Sequence, residues 1–356
     1  MRLLKWMGIL VGSILGIFIL TLVIFTVAAY RPAPKIKLEN ISPGRDSVKE
    51  PPRQLEIMTW NLGYCALDKH TDFVMEGGRM SRGRSKKAVV NNLKVIVDTL
   101  EQQNADIYFL QEADRNSARS FRVDQVKAIT RSFDNYRAWF ATNYKAIFVP
   151  YPSNIPIGKV HSGILTLSRW NGDVWRYQLP GRYAWPTRIF HLKRCISVLK
   201  IPAPENHTYW YLINLHLSAY DAEGALRKRQ LRFVKDMMVD LYRRGNYVVL
   251  GGDWNCLFPG VDMESFTPYT TPDETLGWVQ EIPPDWTPRG WRWAYDPEVP
   301  TTRTLEQPYE NGENFTTIID GFLLSPNVEL LEVKGSDLGF VNTDHNPVWV
   351  RVRTNE

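Results

Sequence analysis

The sequence predicts an α/β fold in which two β-sheets pack face to face and helices cover their outer sides. Three observations lead to this prediction. Apolar runs with strand-like alternation recur along the chain, stretches with helical spacing separate them, and the two halves of the chain repeat this order. A hydrophobic content of 44% and an aromatic content of 12% supply a sizeable core. Periodicity alone does not decide between this sandwich and a doubly wound sheet.

The first element is an apolar N-terminal segment without a charged residue, MGILVGSILGIFILTLVIFTVAA at residues 7–29. A helix of this length crosses a hydrocarbon core of about 30 Å. The alternative is a signal peptide, since Val27-Ala28-Ala29 resembles a cleavage site, but its apolar region usually has only about 7–15 residues. We therefore predict that residues 1–30 are an uncleaved, single-pass membrane anchor.

The domain after the anchor is expected outside the cytoplasm. The Lys and Arg residues that flank the apolar segment do not favour this orientation, but large domains cross a membrane largely regardless of such charges. Residues 31–53 are rich in Pro, Lys and Ser, which predicts an extended linker. Residues 54–356 are then expected to form one folded domain.

Charge limits the classes of partner. The formal net charge of +5 belongs entirely to residues 1–53, so the domain at 54–356 is formally neutral. The basic segment could lie against anionic lipid. A domain that holds nucleic acid usually carries a basic excess of its own, so its neutrality weakens, without excluding, a nucleic-acid substrate.

The three cysteines, Cys65, Cys195 and Cys256, have no short spacing between them. An odd number without such spacing predicts neither a disulfide framework nor a zinc site. We expect them to be small buried side chains, which suits a cell surface that does not depend on disulfides, as in many bacteria.

Strands and helices alternate along the domain. The predicted order is a strand at 55–60, a helix at 85–103, a strand at 107–110, a helix at 123–133, a β-rich region at 144–217, a helix at 224–242, and strands at 247–250, 316–324, 332–337 and 348–353.

Polar residues end, or nearly end, several of these apolar runs: Asn61, Glu112, Asn214, His216, Asp253, Asn255, Asp320, Asp344 and His345. Taken singly, each has an ordinary explanation as a solvated loop residue, a turn former or a satisfied core histidine. Strands deliver side chains to a common edge, however, so the set can converge. Hard oxygen ligands suit Mg²⁺, Mn²⁺ or Ca²⁺ and not zinc. With His and Asp added, the set suits metal-assisted hydrolysis of a phosphate ester.

Six sequence blocks carry a family resemblance: TWNLG, FLQEAD, INLHLS, GGDWN, IIDGFLLS and NTDHNPV. In this order they resemble the endonuclease/exonuclease/phosphatase superfamily, which has the deoxyribonuclease-I-like fold, and the likeness covers residues 55–353. The chain is identified as a membrane-anchored bacterial member. The resemblance implies a four-layered α/β sandwich, with two face-to-face, mostly antiparallel sheets flanked by helices.

The resemblance also implies a catalytic set: His216, Asp253, Asn255, Asp320 and His345. In this set, His216 donates to a phosphate oxygen, and Asp253 orients or deprotonates the attacking water. Asn255 binds the phosphate or helps to fix that water. Asp320 hydrogen-bonds His345 and sets its tautomer. Acid–base work is assigned jointly to Asp253 and His345. Gly251 and Gly252 are expected to let the backbone approach the phosphate.

The implied metal site consists of Asn61 and Glu112, with Glu112 as the principal ligand and Asp344 nearby. The expected ion is Mg²⁺, with Mn²⁺ and Ca²⁺ as alternatives. Asn214 is expected to support the substrate loop, and Arg115 to add positive charge near the substrate. His161 departs from the pattern, since apurinic endonucleases place a Tyr against the phosphate there; it either replaces that Tyr or is an ordinary strand-end residue.

Two further segments bear on the substrate. The basic segment at 79–87, RMSRGRSKK, is either an anion-binding lip or a solvated loop. The insertion between Asp253 and Asp320 is rich in aromatic residues, among them Trp278, Trp286, Trp291, Trp293 and Tyr295. It could be a lid, a base-stacking platform or an interfacial loop, or it could pack on its own domain.

Three functions follow, because a fold family sets a reaction and not a substrate. The first is a metal-dependent phosphoesterase that cleaves phosphodiester or phosphomonoester bonds at the outer membrane-facing surface. Its substrate would be a lipid headgroup, as for a sphingomyelinase or a phosphoinositide phosphatase, or another small phosphodiester. The alternative is an extracellular deoxyribonuclease or ribonuclease, and the third is an inactive binding module. No obligate protein partner is expected.

Overall fold

The computed structural model describes residues 2–42, 50–181, 183–205, 207–219, 224–262, 266 and 280–355. Its α-helices in these ranges are α1 (Arg2–Ala28), α2 (Lys86–Gln103), α3 (Gln125–Ser132) and α4 (Ala225–Arg243). The strands are β1 (Lys35–Lys37), β2 (Gln54–Asn61), β3 (Ile107–Asp114), β4 (Arg137–Val149), β5 (Gly158–Ser168), β6 (Asp173–Gln178), β7 (Cys195–Pro202), β8 (Tyr209–His216), β9 (Tyr247–Asp253), β10 (Arg292–Ala294), β11 (Thr302–Arg303), β12 (Thr316–Thr317), β13 (Asp320–Leu324), β14 (Val328–Gly335) and β15 (Val348–Thr354).

Two large sheets form the centre of the domain. One has seven strands in the order β1-β6-β7-β8-β9-β13-β10, and the other has six in the order β14-β15-β2-β3-β5-β4. Each contains one parallel pair, β8 with β9 and β2 with β3, among antiparallel neighbours. A short separate ribbon pairs β11 with β12. The prediction of two mostly antiparallel sheets is confirmed.

The core lies between the sheets and also beneath the helices. Ile57 and Phe109 of the six-stranded sheet share one buried cluster with Val249 and Phe322 of the seven-stranded sheet. The apolar face of α2 packs in a second cluster, on the other side of the six-stranded sheet. A third cluster joins α4 to the seven-stranded sheet. This arrangement of helix, sheet, sheet and helix is the predicted four-layered sandwich.

Helix α2 illustrates how the sequence produces an element. The Ser85 side chain accepts a hydrogen bond from the Ala88 backbone N–H, which satisfies a free amide at the helix start. Val89, Leu93 and Leu100 recur at helical spacing and are buried, each contributing roughly 1.5–3 kcal/mol if fully removed from water. Asn104 ends the helix in the left-handed region at φ 50°.

Helix α1 buries none of its 27 residues in the domain. An 18-residue window of α1 has a mean hydropathy of 2.7, which together with its length is sufficient to cross a membrane, although a signal sequence would meet the same criteria. The segment after it is more ordered than the expected linker. Residues 35–37 form β1, which pairs with β6, and Leu38 packs against the core. Residues 43–49 of the expected linker lie outside the described residues.

The described part of the aromatic insertion packs on its own domain. Trp286 and Trp291 are buried in the cluster beneath α4. Trp293 stacks on Phe258 at 4.7 Å between ring centroids, and Trp254 lies against both rings. Trp278 of this insertion lies outside the described residues. The described aromatic residues therefore extend the hydrophobic core.

Candidate active site

Three neighbouring strands of the seven-stranded sheet bring acidic and imidazole groups into one row. His216 ends β8 and is paired in register with Asp253, which ends the parallel strand β9. Asp253 is in turn paired with Asp320, which begins the antiparallel strand β13. The alternation of side chains in paired strands puts registered residues on the same face. Strand pairing alone therefore brings these three groups together.

The six-stranded sheet supplies the facing groups. Asn61 ends β2, and Glu112 lies in β3 where its pairing with β5 is interrupted between Leu110 and Ala113. Glu112 has a φ of 55°, a left-handed conformation that is uncommon for a residue with a side chain. Such irregularities redirect a side chain from its strand and are concentrated at functional sites. Asp344 and His345 arrive on the loop that precedes β15.

Asp253 is the centre of the hydrogen-bond network. Its Oδ2 lies 3.0 Å from Nε2 of His216 and accepts a hydrogen bond of 2.9 Å from Nδ2 of Asn61. Its Oδ1 accepts from the backbone N–H of Asn255 at 2.9 Å. Burial opposes ionisation of Asp253, but His216 and His345 outweigh it and hold the pKa below its ordinary range. The carboxylate is therefore ionised and fixed in place.

His345 forms the second imidazole–carboxylate pair. Its Nδ1 donates to Oδ2 of Asp320 at 2.7 Å, which is the predicted contact. Burial alone would lower the pKa of His345, but Asp320 raises it to about 10. Burial raises the pKa of Asp320 to about 6, although His345 acts in the opposite direction. Both members of the pair are therefore charged at neutral pH.

The other nitrogen of His345 faces the site. Nε2 lies 3.3 Å from Nδ2 of Asn61 and 3.4 Å from Oγ1 of Thr302. His216 differs, because burial, reinforced by the charge of Arg194, lowers its pKa. Burial therefore disfavours the cationic form of His216, whereas Asp320 favours the cationic form of His345.

A divalent cation fits the oxygen groups of Glu112, Asp344 and Asn61. Burial, with a contribution from the nearby charge of Glu112, raises the pKa of Asp344 against the opposing effect of His345. Gly63 leaves the space that the Asp344 carboxylate occupies, since a Cβ there would overlap its Oδ1. Glu112, Asp344 and Asn61 line the same cavity and offer carboxylate and amide oxygens, the ligand type that Mg²⁺ prefers.

Asp253, Asp320 and His345 also have potential ligand atoms within 4.8 Å of one another. Nδ1 of His345 already donates to Asp320 at 2.7 Å, and Asp253 is hydrogen-bonded by Asn61 and His216. The cluster is therefore better explained as a hydrogen-bond network than as the metal site itself.

These groups line a cavity of about 380 Å³. We call seven of its polar lining residues the catalytic floor: Asn61, Glu112, His216, Asp253, Asn255, Asp344 and His345. Asp320 lies behind the floor, against His345. We call the apolar lining residues of segments 149–157 and 186–192 the cavity mouth: Val149, Pro150, Tyr151, Ile157, Pro186, Phe190 and Leu192. Eight of the predicted site residues thus converge.

Three predicted substrate-binding residues do not line this cavity. Asn214 is buried, and its amide bonds Leu165 O, Thr166 Oγ1 and Gln111 Nε2. Arg115 and His161 lie together against the Phe140 ring, joined by a hydrogen bond from Arg115 N to His161 O. Direct contact with a phosphate on the catalytic floor would require Arg115 and His161 to turn toward the cavity.

Two lining residues were not anticipated. Arg303 is buried and donates to the backbone carbonyls of Asp68 and Thr71. Arg194 is electrostatically close enough to lower the pKa of His216. Neither residue lies in one of the six sequence blocks or in a repeating apolar pattern. Only the folded structure therefore identifies them as cavity-lining residues. Arg119 also lines the cavity and forms an ion pair with Asp114.

The expectation for Gly251 and Gly252 needs correction. A Cβ on Gly252 would overlap the backbone carbonyl oxygen of Leu215 in the neighbouring strand. A Cβ on Gly251 would overlap the ring of Phe322 and press on Phe109. The two glycines allow close packing within the sheet and between the sheets; phosphate approach is not what requires them.

Two arginines of the basic segment at 79–87 bind other residues of the domain. Arg84 pairs with Asp68 through two hydrogen bonds, and Arg82 donates to Pro156 O at 2.7 Å. Arg79 is exposed. These contacts hold surrounding loops in place, so they favour a structural role for Arg82 and Arg84 over an open anion-binding lip.

Comparison with known proteins gives a consistent result. The sequence profile of the endonuclease/exonuclease/phosphatase family matches residues 58–345. A search of curated proteins finds no match.

Several solved structures share the fold. An endonuclease/exonuclease/phosphatase of Beutenbergia cavernae has a TM-score of 0.56 and 20% identity, covering 85% of this chain and 72% of that one. A family protein of Bacteroides thetaiotaomicron has a TM-score of 0.51 and 15% identity, covering 85% and 98%. ANGEL2, described as a 2′,3′-cyclic phosphatase and solved with adenosine-2′,3′-vanadate, has a TM-score of 0.53 and 13% identity, covering 90% and 99%. At these identities the likeness shows the fold alone.

Proposed function

Because the chain belongs to the endonuclease/exonuclease/phosphatase family, whose members hydrolyse phosphoester bonds, we propose that it is a divalent-metal-dependent phosphoesterase. Its substrate would be a phosphodiester or phosphomonoester bound over the catalytic floor. The observation that carries this proposal is the convergence, in one cavity, of two imidazole–carboxylate pairs and a hard-oxygen cluster.

The catalytic floor suits attack of water on phosphorus. Asp253 is ionised and held by Asn61, His216 and the Asn255 backbone, so its carboxylate can orient the water. The new P–O bond forms as the bond to the leaving oxygen breaks. The proton of the water passes to a base, and the leaving oxygen receives a proton in return. Acid–base work is shared by Asp253 and His345 in this proposal.

His345 is the group best suited to stabilise negative charge on a phosphoryl oxygen. Asp320 keeps it cationic, and its Nε2 faces the cavity side of the network. A cationic donor fixed before the reaction stabilises a phosphoryl oxygen without a cost of reorganisation. His216 shares its Nε2 proton with Asp253, and we propose that a phosphate oxygen competes for it. Asn255 is proposed to help hold the phosphate.

Glu112, Asp344 and Asn61 are the residues proposed to hold the metal. A bound Mg²⁺, or Mn²⁺ or Ca²⁺ in its place, would neutralise charge on the phosphoryl oxygens. Everything else required at the site is supplied by the side chains described above.

We further propose that the enzyme works at a membrane on a lipid headgroup. Helix α1 would be its single-pass anchor, with the catalytic domain outside the cytoplasm. The formally neutral catalytic domain and the apolar cavity mouth support this assignment over a nuclease, for which a basic surface would be expected.

A substrate panel tests the proposal on the full chain in nanodiscs. The panel contains bis(p-nitrophenyl) phosphate, plasmid DNA, RNA, sphingomyelin and phosphoinositides, each with Mg²⁺ or with EDTA. We expect Mg²⁺-dependent turnover of the generic diester and of at least one lipid. Glu112→Gln should lower both by about 100-fold or more, whereas Glu313→Gln, at an exposed position, should not.

The outcomes separate the alternatives. Rapid, Glu112-dependent cleavage of DNA or RNA with no lipid turnover would replace the lipid assignment with a nuclease. Absence of Mg²⁺-dependent turnover of every substrate would contradict the phosphoesterase proposal and support a binding module.

A further inference from the structure

Exposed apolar side chains are concentrated around the cavity mouth. Outside α1, exposed large apolar residues in this region are Ile147, Phe148, Tyr151, Ile155 and Trp185. They belong to two segments, 147–157 and 185–192, that also contribute most of the cavity mouth. We call these two segments the mouth loops. A contiguous exposed apolar patch that rims a cavity indicates an interaction surface.

The backbone directs these side chains outward. The pairing of β4 with β5 is irregular between Ala146 and Val149, and the two residues in between are Ile147 and Phe148. Ile147 is 49% exposed and Phe148 is 40% exposed, although both lie within a strand. Regular alternation along β4 already turns Ile147 outward, and the irregular pairing turns Phe148 outward as well, where alternation would turn it inward. β4 is the edge strand of the six-stranded sheet.

The mouth loops adjoin the last turn of α1. The ring of Phe25 packs edge-on against Phe190, with centroids 5.4 Å apart, and Phe190 lines the cavity. Nε1 of Trp185 donates to Oγ1 of Thr26 at 3.2 Å. A helix of 27 residues is about 40 Å long, enough to cross the hydrocarbon core and end close to its surface. The mouth loops therefore lie where α1 would leave a bilayer.

We propose that the mouth loops are a bilayer-docking surface through which an amphiphilic phosphoester enters the cavity from the lipid. Its apolar chain would lie along the cavity mouth while its phosphate reaches the catalytic floor. The identity of the substrate rests on the proposed function, whereas insertion of the loops into the bilayer does not.

The composition of the rim fits a bilayer surface. Tyr151 and Trp185 are 50% exposed, and aromatic rings with a polar atom are favoured at the level of lipid headgroups. Lys145, Lys159 and Arg188 are exposed beside the apolar residues, and such cations attract anionic headgroups. The patch thus combines an apolar centre with a basic and aromatic border.

The first mouth loop is held in place before any lipid arrives. Ser81 donates to Ile155 O at 2.6 Å, and Arg82 donates to Pro156 O through two nitrogens. Little conformational freedom would be lost at these positions on docking, which favours insertion.

A depth measurement tests docking without reference to activity. The full chain with Ile155→Cys is labelled with an environment-sensitive nitrobenzoxadiazole dye and placed in vesicles of phosphatidylcholine and phosphatidylserine. The three native cysteines are buried, so unsubstituted protein reports background labelling. Leu331→Cys is the matched control, because Leu331 is an exposed apolar residue in β14, at the opposite edge of the same sheet.

We expect a blue-shifted emission for Ile155→Cys and at least twofold quenching by doxyl-labelled lipid, with neither for Leu331→Cys. Equal, unquenched emission at both positions would overturn the proposal. So would a shift for Ile155→Cys that depends on protein density and is insensitive to doxyl lipid, since that would mean that a second copy covers the surface.

A kinetic experiment tests whether the mouth loops deliver the substrate from the bilayer. The double variant Ile147→Ser with Phe148→Ser is compared with Leu331→Ser on sphingomyelin or phosphoinositide in vesicles and on bis(p-nitrophenyl) phosphate. We expect a loss of at least 10-fold for the double variant on vesicles, and less than twofold on the soluble diester. Equal losses on both substrates would contradict delivery through the mouth. If no lipid is turned over at all, the proposed substrate fails while the depth measurement still decides docking.

Discussion

The catalytic floor and the cavity mouth are opposite in chemistry although they share one cavity. The floor consists of polar groups, most of them buried, with Asp253 contacted by Asn61, His216 and Asn255. The mouth consists of apolar side chains, several of them exposed. Much of the floor stands on paired strand ends, whereas the mouth stands on an irregular edge and on loops. Under the proposed function, the floor carries the reaction and the mouth receives a substrate from the bilayer.

This contrast has a physical basis. A group that must hold charge at a defined point needs partners that do not move, and a sheet register supplies them. A surface that accepts lipid needs only apolar area, which many loop sequences can provide. Changes in the floor should therefore affect every substrate, and changes in the mouth should affect only substrates presented by a bilayer.

Asp253→Asn should have the largest effect. The substitution removes the charge to which Asn61 Nδ2 and His216 Nε2 are directed, and places an amide among donors. We expect kcat on bis(p-nitrophenyl) phosphate to fall roughly 10³–10⁴-fold. Circular dichroism should show that the fold is retained. A loss below 10-fold with the fold intact would remove Asp253 from the catalytic set.

Gly252→Ala tests the close strand packing that supports the catalytic floor. Gly252 has φ 146°, and a Cβ would overlap the carbonyl oxygen of Leu215. We expect the free energy of unfolding to drop by about 3 kcal/mol or more, from strain and overpacking together. Chemical denaturation measures this drop, with Gly260→Ala as a control whose added Cβ meets no atom within 4 Å but shares a positive φ. If both variants lost the same free energy of unfolding, the effect would come from the positive φ alone.

Asp320→Asn should act through His345. The amide can still accept from Nδ1, but it lacks the charge that raises the pKa of His345. We expect kcat on the soluble diester to fall about 10–100-fold with little change in KM. Binding of Mn²⁺, measured by titration, should be unchanged, which separates this positioning residue from Glu112. Weakened Mn²⁺ binding would instead place Asp320 in the metal site.

Much of the floor was predictable because its signals are local. Residues that follow apolar strand patterns, such as Asn61, Asp253 and Asp320, are carried to the sheet edge by strand geometry alone. The six ordered blocks identified the family, which the profile match at 58–345 confirms.

The remainder depended on long-range contacts. Arg303 reaches the cavity because the ribbon of β11 and β12 carries it there, and no pattern of its own marks it. The composition of residues 35–37 predicted a linker, but these residues pair with β6. No local signal in the sequence marks β6 as their partner. The mouth loops were also missed, since the exposure of Phe148 arises from irregular pairing and not from periodicity.

Tyr151→Ser should have the smallest effect and isolates the mouth from the floor. Tyr151 is half exposed and lines the cavity as part of the cavity mouth. We expect stability to change by less than about 0.5 kcal/mol, and kcat/KM on bis(p-nitrophenyl) phosphate by less than about twofold. Turnover of vesicle-bound lipid should fall by a further factor of about 2–5, and Tyr151→Phe should retain most of it, because the ring supplies the interfacial contact. If Tyr151→Ser reduced soluble and vesicle turnover equally, the mouth would be part of the catalytic machinery, and the division between floor and mouth would have to be redrawn.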